Sequence, residues 1–181
     1  MDLSAASETA DTTYYDMIYK DCQKDEAADF RVKKYQLDFS VGLNLTGSAK
    51  VYVDRSELKS YRFTLYHGYK VKQVTDQTGA ALDFRREYDY VTVTRGGAAV
   101  EYLCLEYTGK SPKYYSSYAG VCLPANFAYY PIPGYRELFS DNFYGFIDCS
   151  LPYDTAFDVH CSGRKQMYCK LGCPGRQSLC R

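Results

Sequence analysis

FRVKKYQLDFSVGLNLTGSAKVYV, Phe30–Val53, is the stretch whose periodicity decides the fold. Phe30 and Val32, then Tyr35, Leu37, Phe39 and Val41, alternate with polar residues, which is the two-residue period of a strand that buries one face. Leu43–Gly47 reads as a turn or bulge, and Ala49–Val53 as a second strand that the polar run Asp54–Ser60 ends. Two consecutive strands with no helical period between them point to an antiparallel β protein.

The same grammar continues outward. Tyr61–Tyr66, Lys70–Val74, Leu82–Arg86, Tyr88–Thr94 and Val100–Tyr107 are five short β-patterned runs, with turn signals at Asp76–Gly79 and at Gly96 and Gly97. Their spacing predicts an antiparallel sandwich or a saddle-like sheet, with no alternating βαβ units. Two further runs, Thr155–Cys161 and Lys165–Leu171, flank Ser162 and Gly163, and predict a hairpin there. On the N-terminal side, Thr13 and Asp16 have capping-box spacing. With Tyr14, Met17, Ile18 and Cys22 they predict a short amphipathic helix over Tyr14–Ala27, behind a small, polar start. The expected organisation is a disordered start and short helix over 1–29 and one mostly β domain over 30–181. A fold of this kind is expected to need a strand or two beyond Arg181.

Composition narrows the function classes. The chain has 181 residues, enough for one domain with a substantial core. Lys and Arg number 22, as do Asp and Glu, so no basic surplus points to nucleic acid. No apolar run reaches the length of a membrane span, so direct insertion by this chain is not expected. The N-terminus lacks the basic and apolar regions of a secretion signal, which leaves a cytoplasmic protein or a soluble part of a larger exported or membrane-anchored one. Tyrosine is abundant, at 21 residues with no tryptophan, as suits half-buried strand faces where the ring packs and the hydroxyl stays wet. The sequon at Asn44–Thr46 reads as accidental, because a glycan requires a eukaryotic secretory route.

Candidate chemistry is sparse. Only two histidines are present, His67 and His160, and no H-E-x-x-H or G-x-S-x-G motif accompanies them. Of eight cysteines, Cys161, Cys169, Cys173 and Cys180 cluster late in the chain, without the short C-x-x-C knuckles of closed zinc sites. Cys22, Cys104, Cys122 and Cys149 sit in apolar surroundings and read as small core residues. Carboxylate pairs such as Glu87 with Asp89 and Asp154 with Asp158 read as solvated surface charge. No catalytic, metal or cofactor residue is therefore assigned. The sharper candidate is VCLPANFAYYPIPGY, Val121–Tyr135, whose prolines argue against a regular central strand and for a rigid crossover lying on a sheet. Tyr114, Tyr115, Tyr118, Phe127, Tyr129, Tyr130 and Tyr135 around it suit a ligand or docking platform. The preferred reading is that they cover an open sheet face or dock on a neighbouring domain.

The order of short motifs resembles the N-terminal domain of family M1 aminopeptidases (aminopeptidase N-like). The motifs are YQLDF (Tyr35–Phe39), LTGSAKV (Leu45–Val51), FTLYHGYKV (Phe63–Val71), VTDQTG (Val74–Gly79), YVTV (Tyr90–Val93) and LEYTG (Leu105–Gly109). The resemblance spans roughly Phe30 to Leu171. Where active relatives carry an acidic D-E-P near the substrate's amino group, this chain has YYPIPG, Tyr129–Gly134. That departure is similar to divergent M1-like domains fused to ABC-type transporter permeases in Gram-positive bacteria. The resemblance implies a non-catalytic domain of a membrane-associated parent on the extracytoplasmic face, packing against a downstream domain of the same parent chain. It leaves two alternatives: the cleft-shaping domain of a working zinc aminopeptidase, and a free-standing carbohydrate- or peptide-binding sandwich.

Overall fold

The computed structural model describes residues 26–111, 120–123, 128–136, 151, 153–163, 166–170 and 177–180. Along the chain these residues form β1 (Val32–Val41), β2 (Leu45–Val53), β3 (Ser60–Thr64), β4 (Tyr69–Thr75), β5 (Phe84–Glu87) and β6 (Tyr90–Thr94). There follow β7 (Tyr102–Gly109), β8 (Gly120–Leu123), β9 (Ile132–Pro133), β10 (Ala156–Gly163), β11 (Gln166–Lys170) and β12 (Gln177–Cys180). A five-stranded sheet has the order β10-β1-β2-β7-β4, a four-stranded one β5-β6-β3-β9, and a small third one β12-β11-β8. Among the described residues there is no helix, and so none long and apolar enough to cross a membrane. The fold is mostly β, as its two-residue periodicity predicts.

Alternation builds the core. On β1 the side chains of Tyr35, Leu37, Phe39 and Val41 are buried, and the register places Tyr35 beside Val51 and Val51 beside Leu103. The four-stranded sheet contributes Tyr61, Phe63, Val91, Val93 and Ile132 to the same apolar cluster. Phe30 bridges the layers, with its ring edge-on to Tyr61 at 5.2 Å and to Phe63 at 5.4 Å. Burying a side chain of this size stabilises by roughly 1.5–3 kcal/mol, so this continuous cluster is what holds the two sheets together.

Several expectations need correction. Thr155–Cys161 and Lys165–Leu171 do not form a hairpin: β10 pairs parallel with β1, and β11 pairs parallel with β8 and antiparallel with β12. Gly163 stays in the strand opposite Val41, and the Ser162 hydroxyl donates to the Phe39 carbonyl at 3.2 Å. A Cβ on Gly163 would run into the Val41 backbone, so this glycine permits close strand approach instead of a turn. The helix expected over Tyr14–Ala27 lies outside the described residues except for its last two, and there Glu26 forms a β-bridge with Tyr135. Cys104 is half-buried on the outward side of β7 and Cys122 is exposed, so neither is a core residue. Cys22 and Cys149 lie outside the described residues. Asp89 is buried, whereas Glu87, Asp154 and Asp158 are exposed as expected.

Candidate functional site

The proline-rich segment begins in a strand, since Val121–Leu123 belong to β8 and pair parallel with β11; residues 124–127 lie outside the described residues, and the segment continues from Ala128 to Arg136. Of its three prolines, Pro131 and Pro133 are among the described residues. Pro133 lies in β9, an edge strand only two residues long, opposite Phe63, where a missing N–H costs the sheet nothing on its open side. The backbone is held both by main-chain bonds, Tyr66 N–H to the Ala128 carbonyl, Gly134 N–H to that of Arg62 and the reciprocal pair between Glu26 and Tyr135, and by side chains of the sheets beneath it. Tyr35 donates its hydroxyl to the Pro131 carbonyl at 2.8 Å, and Tyr107 donates to the Tyr129 carbonyl at 2.8 Å. Thr64, itself buried, donates to the Gly134 carbonyl at 2.9 Å and accepts the Arg136 N–H at 2.8 Å. Burial pushes the Tyr107 phenol well above its ordinary value, with the neighbouring Tyr69 and Tyr130 adding to the shift, so it remains a donor.

The platform residues therefore separate. Tyr129 and Tyr130 are 0% and 1% exposed and sit in the core, with Tyr130 edge-on to Tyr35 at 5.2 Å and Tyr129 packed on Phe39 at 5.9 Å. As a surface for a ligand these two are excluded, because closure of the core takes both rings out of solvent. Tyr135 lies half-buried on the outer side of the four-stranded sheet. Its hydroxyl pairs with Thr92 at 2.7 Å, its ring packs on Tyr90 at 4.5 Å, and the Arg62 guanidinium sits over it at 5.5 Å. Arg62 also binds Glu26 and, at 2.9 Å, Asp29, which ties the incoming chain to this sheet. Tyr114, Tyr115, Tyr118 and Phe127 lie outside the described residues.

A second polar centre, which the sequence reading places at the surface, forms around Asp89. Residues Tyr88 and Asp89 make the two-residue turn between β5 and β6, and Tyr88 has φ 54°, a value such turns normally give to glycine. The turn is held by its neighbours: Arg86 donates to the Tyr88 carbonyl and, at 2.7 Å, to that of Leu65. His67 stacks on Tyr88 with centroids 4.8 Å apart, donates its backbone N–H to Asp89 at 2.6 Å, and sets Nδ1 3.3 Å from the same oxygen. Asp89 thus joins the β3–β4 and β5–β6 turns. An aspartate in a two-residue turn between tyrosines carries no sequence signal for burial, since the histidine that claims it lies 22 positions away. The two histidines are not brought together: His67 is in this turn and His160 is on β10 opposite Asp38. Among the described residues no three of His, Cys, Asp and Glu are grouped to hold a metal ion.

No protein-family model matches the sequence, and comparison with curated proteins returns no match. Among solved structures, the chain is similar to an M1 zinc metallopeptidase from Deinococcus radiodurans, with 20% identity and a TM-score of 0.41 over 48% of this chain and 22% of that one. It is also similar to yeast LTA4 hydrolase in complex with bestatin, with 16% identity and a TM-score of 0.39 over 53% of this chain and 18% of that one. The chain thus spans under a quarter of the length of either.

Proposed function

We propose that this chain is a non-catalytic β domain of the M1 aminopeptidase type, acting within a larger membrane-associated bacterial protein, an ABC-type permease fusion, on the extracytoplasmic face. Its work there is interdomain packing against a downstream part of the same parent. The observation that supports this reading is that the motifs carrying the resemblance fall on strands of the fold. YQLDF falls on β1, LTGSAKV on β2, FTLYHGYKV runs from β3 through the His67 turn into β4, YVTV lies on β6 and LEYTG closes β7. The segment where active members carry their acidic motif is here a proline-bearing edge whose two tyrosines are fully buried. A buried hydrophobic edge of this kind offers no carboxylate to a substrate's amino group.

Catalysis of the M1 type needs two histidines one turn apart on a helix, and the chain has two histidines 93 positions apart. The purified chain is expected to release no p-nitroaniline from aminoacyl p-nitroanilides above a buffer control, and to hold no stoichiometric zinc by elemental analysis. Metal-dependent hydrolysis by the isolated chain would overturn the reading. For the location, protease added to intact cells of the parent organism is expected to cut the parent protein within this domain. Protection until the cells are lysed would exclude the extracytoplasmic face.

A further inference from the structure

We infer that the outward face of the five-stranded sheet is a binding surface for a neutral oligosaccharide, centred on Tyr52 and Tyr102. The register sets out this face in rows. Lys34, Tyr52 and Tyr102 lie side by side on β1, β2 and β7; Gln36, Lys50 and Cys104 form the next row; Asp38, Ser48 and Glu106 the next; and Ser40, Thr46 and Thr108 the last. With strands about 4.8 Å apart and a rise of about 3.4 Å per residue, the five-stranded face measures roughly 20 Å by 20 Å, room for several pyranose rings. The opposite side of the same strands is the core, so these residues point away from it.

Three features favour a sugar. Tyr52 and Tyr102 are the aromatic pair of this face, directly cross-strand and half-buried, with centroids 4.9 Å apart and planes at 44°. Such rings stack on the apolar C–H faces of pyranoses and hold little conformational entropy to lose. Second, the pair is fixed in advance: the Tyr52 hydroxyl donates to Gln36 Oε1 at 2.9 Å, and the Lys50 ammonium lies 5.7 Å from the Tyr102 ring centroid. That bond leaves the two amide N–H donors of Gln36 for a ligand, and preorganisation lowers the entropic cost of binding. Third, charges of both signs are interspersed on the face. Lys34, Lys50 and Lys70, with Lys72 at the β4 bulge, stand among Asp38, Glu106 and Asp158, with Lys34 paired to Asp158 at 3.7 Å, while His160, Cys104, hydroxyls and the amides of Gln36 and Gln73 lie between them. A single-sign field would select a polyanion or a polycation; interspersed donors and acceptors suit hydroxyl groups of no net charge. The tyrosines that meet solvent for this purpose are thus not the proline-segment pair, which the core takes up.

The inference does not depend on the M1 reading: a peptidase assay and a sugar titration fail separately. The test titrates the purified chain with cellohexaose, chitohexaose and mannohexaose by calorimetry, with a heparin hexasaccharide as the charged comparison. At least one neutral hexasaccharide is expected to bind, and Tyr52→Ala and Tyr102→Ala are each expected to weaken it about tenfold or more. Tyr52→Phe, which keeps the ring, stays within about threefold. Leu43→Ser, at the exposed β1–β2 tip off this face, leaves binding unchanged. Should the alanine variants fail to fold, the double variant Gln36→Ala with Lys50→Ala, which removes only outward polar groups, is expected to lower affinity while keeping the thermal midpoint. No neutral hexasaccharide binding at about 10 mM probe overturns the inference. So do preference for the heparin fragment and affinity indifferent to both tyrosines.

Discussion

Gly134 turns the chain at φ +85° hard against the incoming strand, where a Cβ would lie 2.6 Å from the Glu26 carbonyl oxygen and 2.9 Å from the Ala28 nitrogen. Gly79 has almost the same φ, +84°, but open space around it. The pair separates two costs that a glycine substitution usually mixes. Gly79→Ala is expected to cost about 1 kcal/mol, from the left-handed backbone alone. Gly134→Ala is expected to cost about 3 kcal/mol, because backbone cannot step aside as a flexible side chain can. Urea unfolding of both variants checks this, and equal losses would mean that the close approach at residue 134 is not felt. The left-handed Tyr88 is the same problem solved without glycine, with Arg86 and His67 holding a conformation that the residue itself disfavours.

At the scale of elements, β9 is too short to be held by its ladder: only Phe63↔Pro133 and Thr64↔Ile132 are paired. The Thr64 hydroxyl supplies what the ladder lacks, bonding residues 134 and 136 at once. Thr64→Val keeps the shape and removes both bonds. It is expected to destabilise by about 2 kcal/mol and to hasten proteolysis between Ala128 and Arg136 more than elsewhere, as mass spectrometry of the first cleavage products would show. Uniformly faster cleavage would mean that the hydroxyl supports the whole sheet and not this edge. Elements also differed in how far they could be read beforehand. Strands β1 to β7 were legible because each alternates and each turn carries its own residues. The proline segment was legible as a rigid crossover lying on a sheet, but the pairing of its start as β8 and of its Ile132–Pro133 as the edge strand β9 was not. The partner of β10 was not legible, because pairing with β1 joins residues more than a hundred positions apart.

Across the whole molecule, the unusual feature is a core built on tyrosine. Tyr35, Tyr61, Tyr69, Tyr107, Tyr129 and Tyr130 are all essentially inaccessible, and burial holds the phenols of Tyr69 and Tyr107 above their ordinary value. In the unfolded chain both ionise near pH 10, while the folded chain keeps its protons, so above that pH the unfolded state binds fewer. Stability is therefore intact below about pH 10 and falls as pH rises through it, by about 1 kcal/mol per pH unit for each such group. Urea midpoints at pH 8 and 11 are expected to show this fall, and Tyr107→Phe is expected to make it shallower. An unchanged alkaline slope in that variant would place the ionising groups elsewhere. The sequence by itself determined the β class and most strand positions, because period and turn chemistry act within a few residues. Only the tertiary structure decided that Tyr129 and Tyr130 are core while Tyr52 and Tyr102 face outward, that Asp89 is buried by a distant histidine, and that β10 lies parallel to β1. Which side of a ring meets solvent, and which strand closes an edge, depend on surfaces brought together from remote parts of the chain, and no local pattern encodes them.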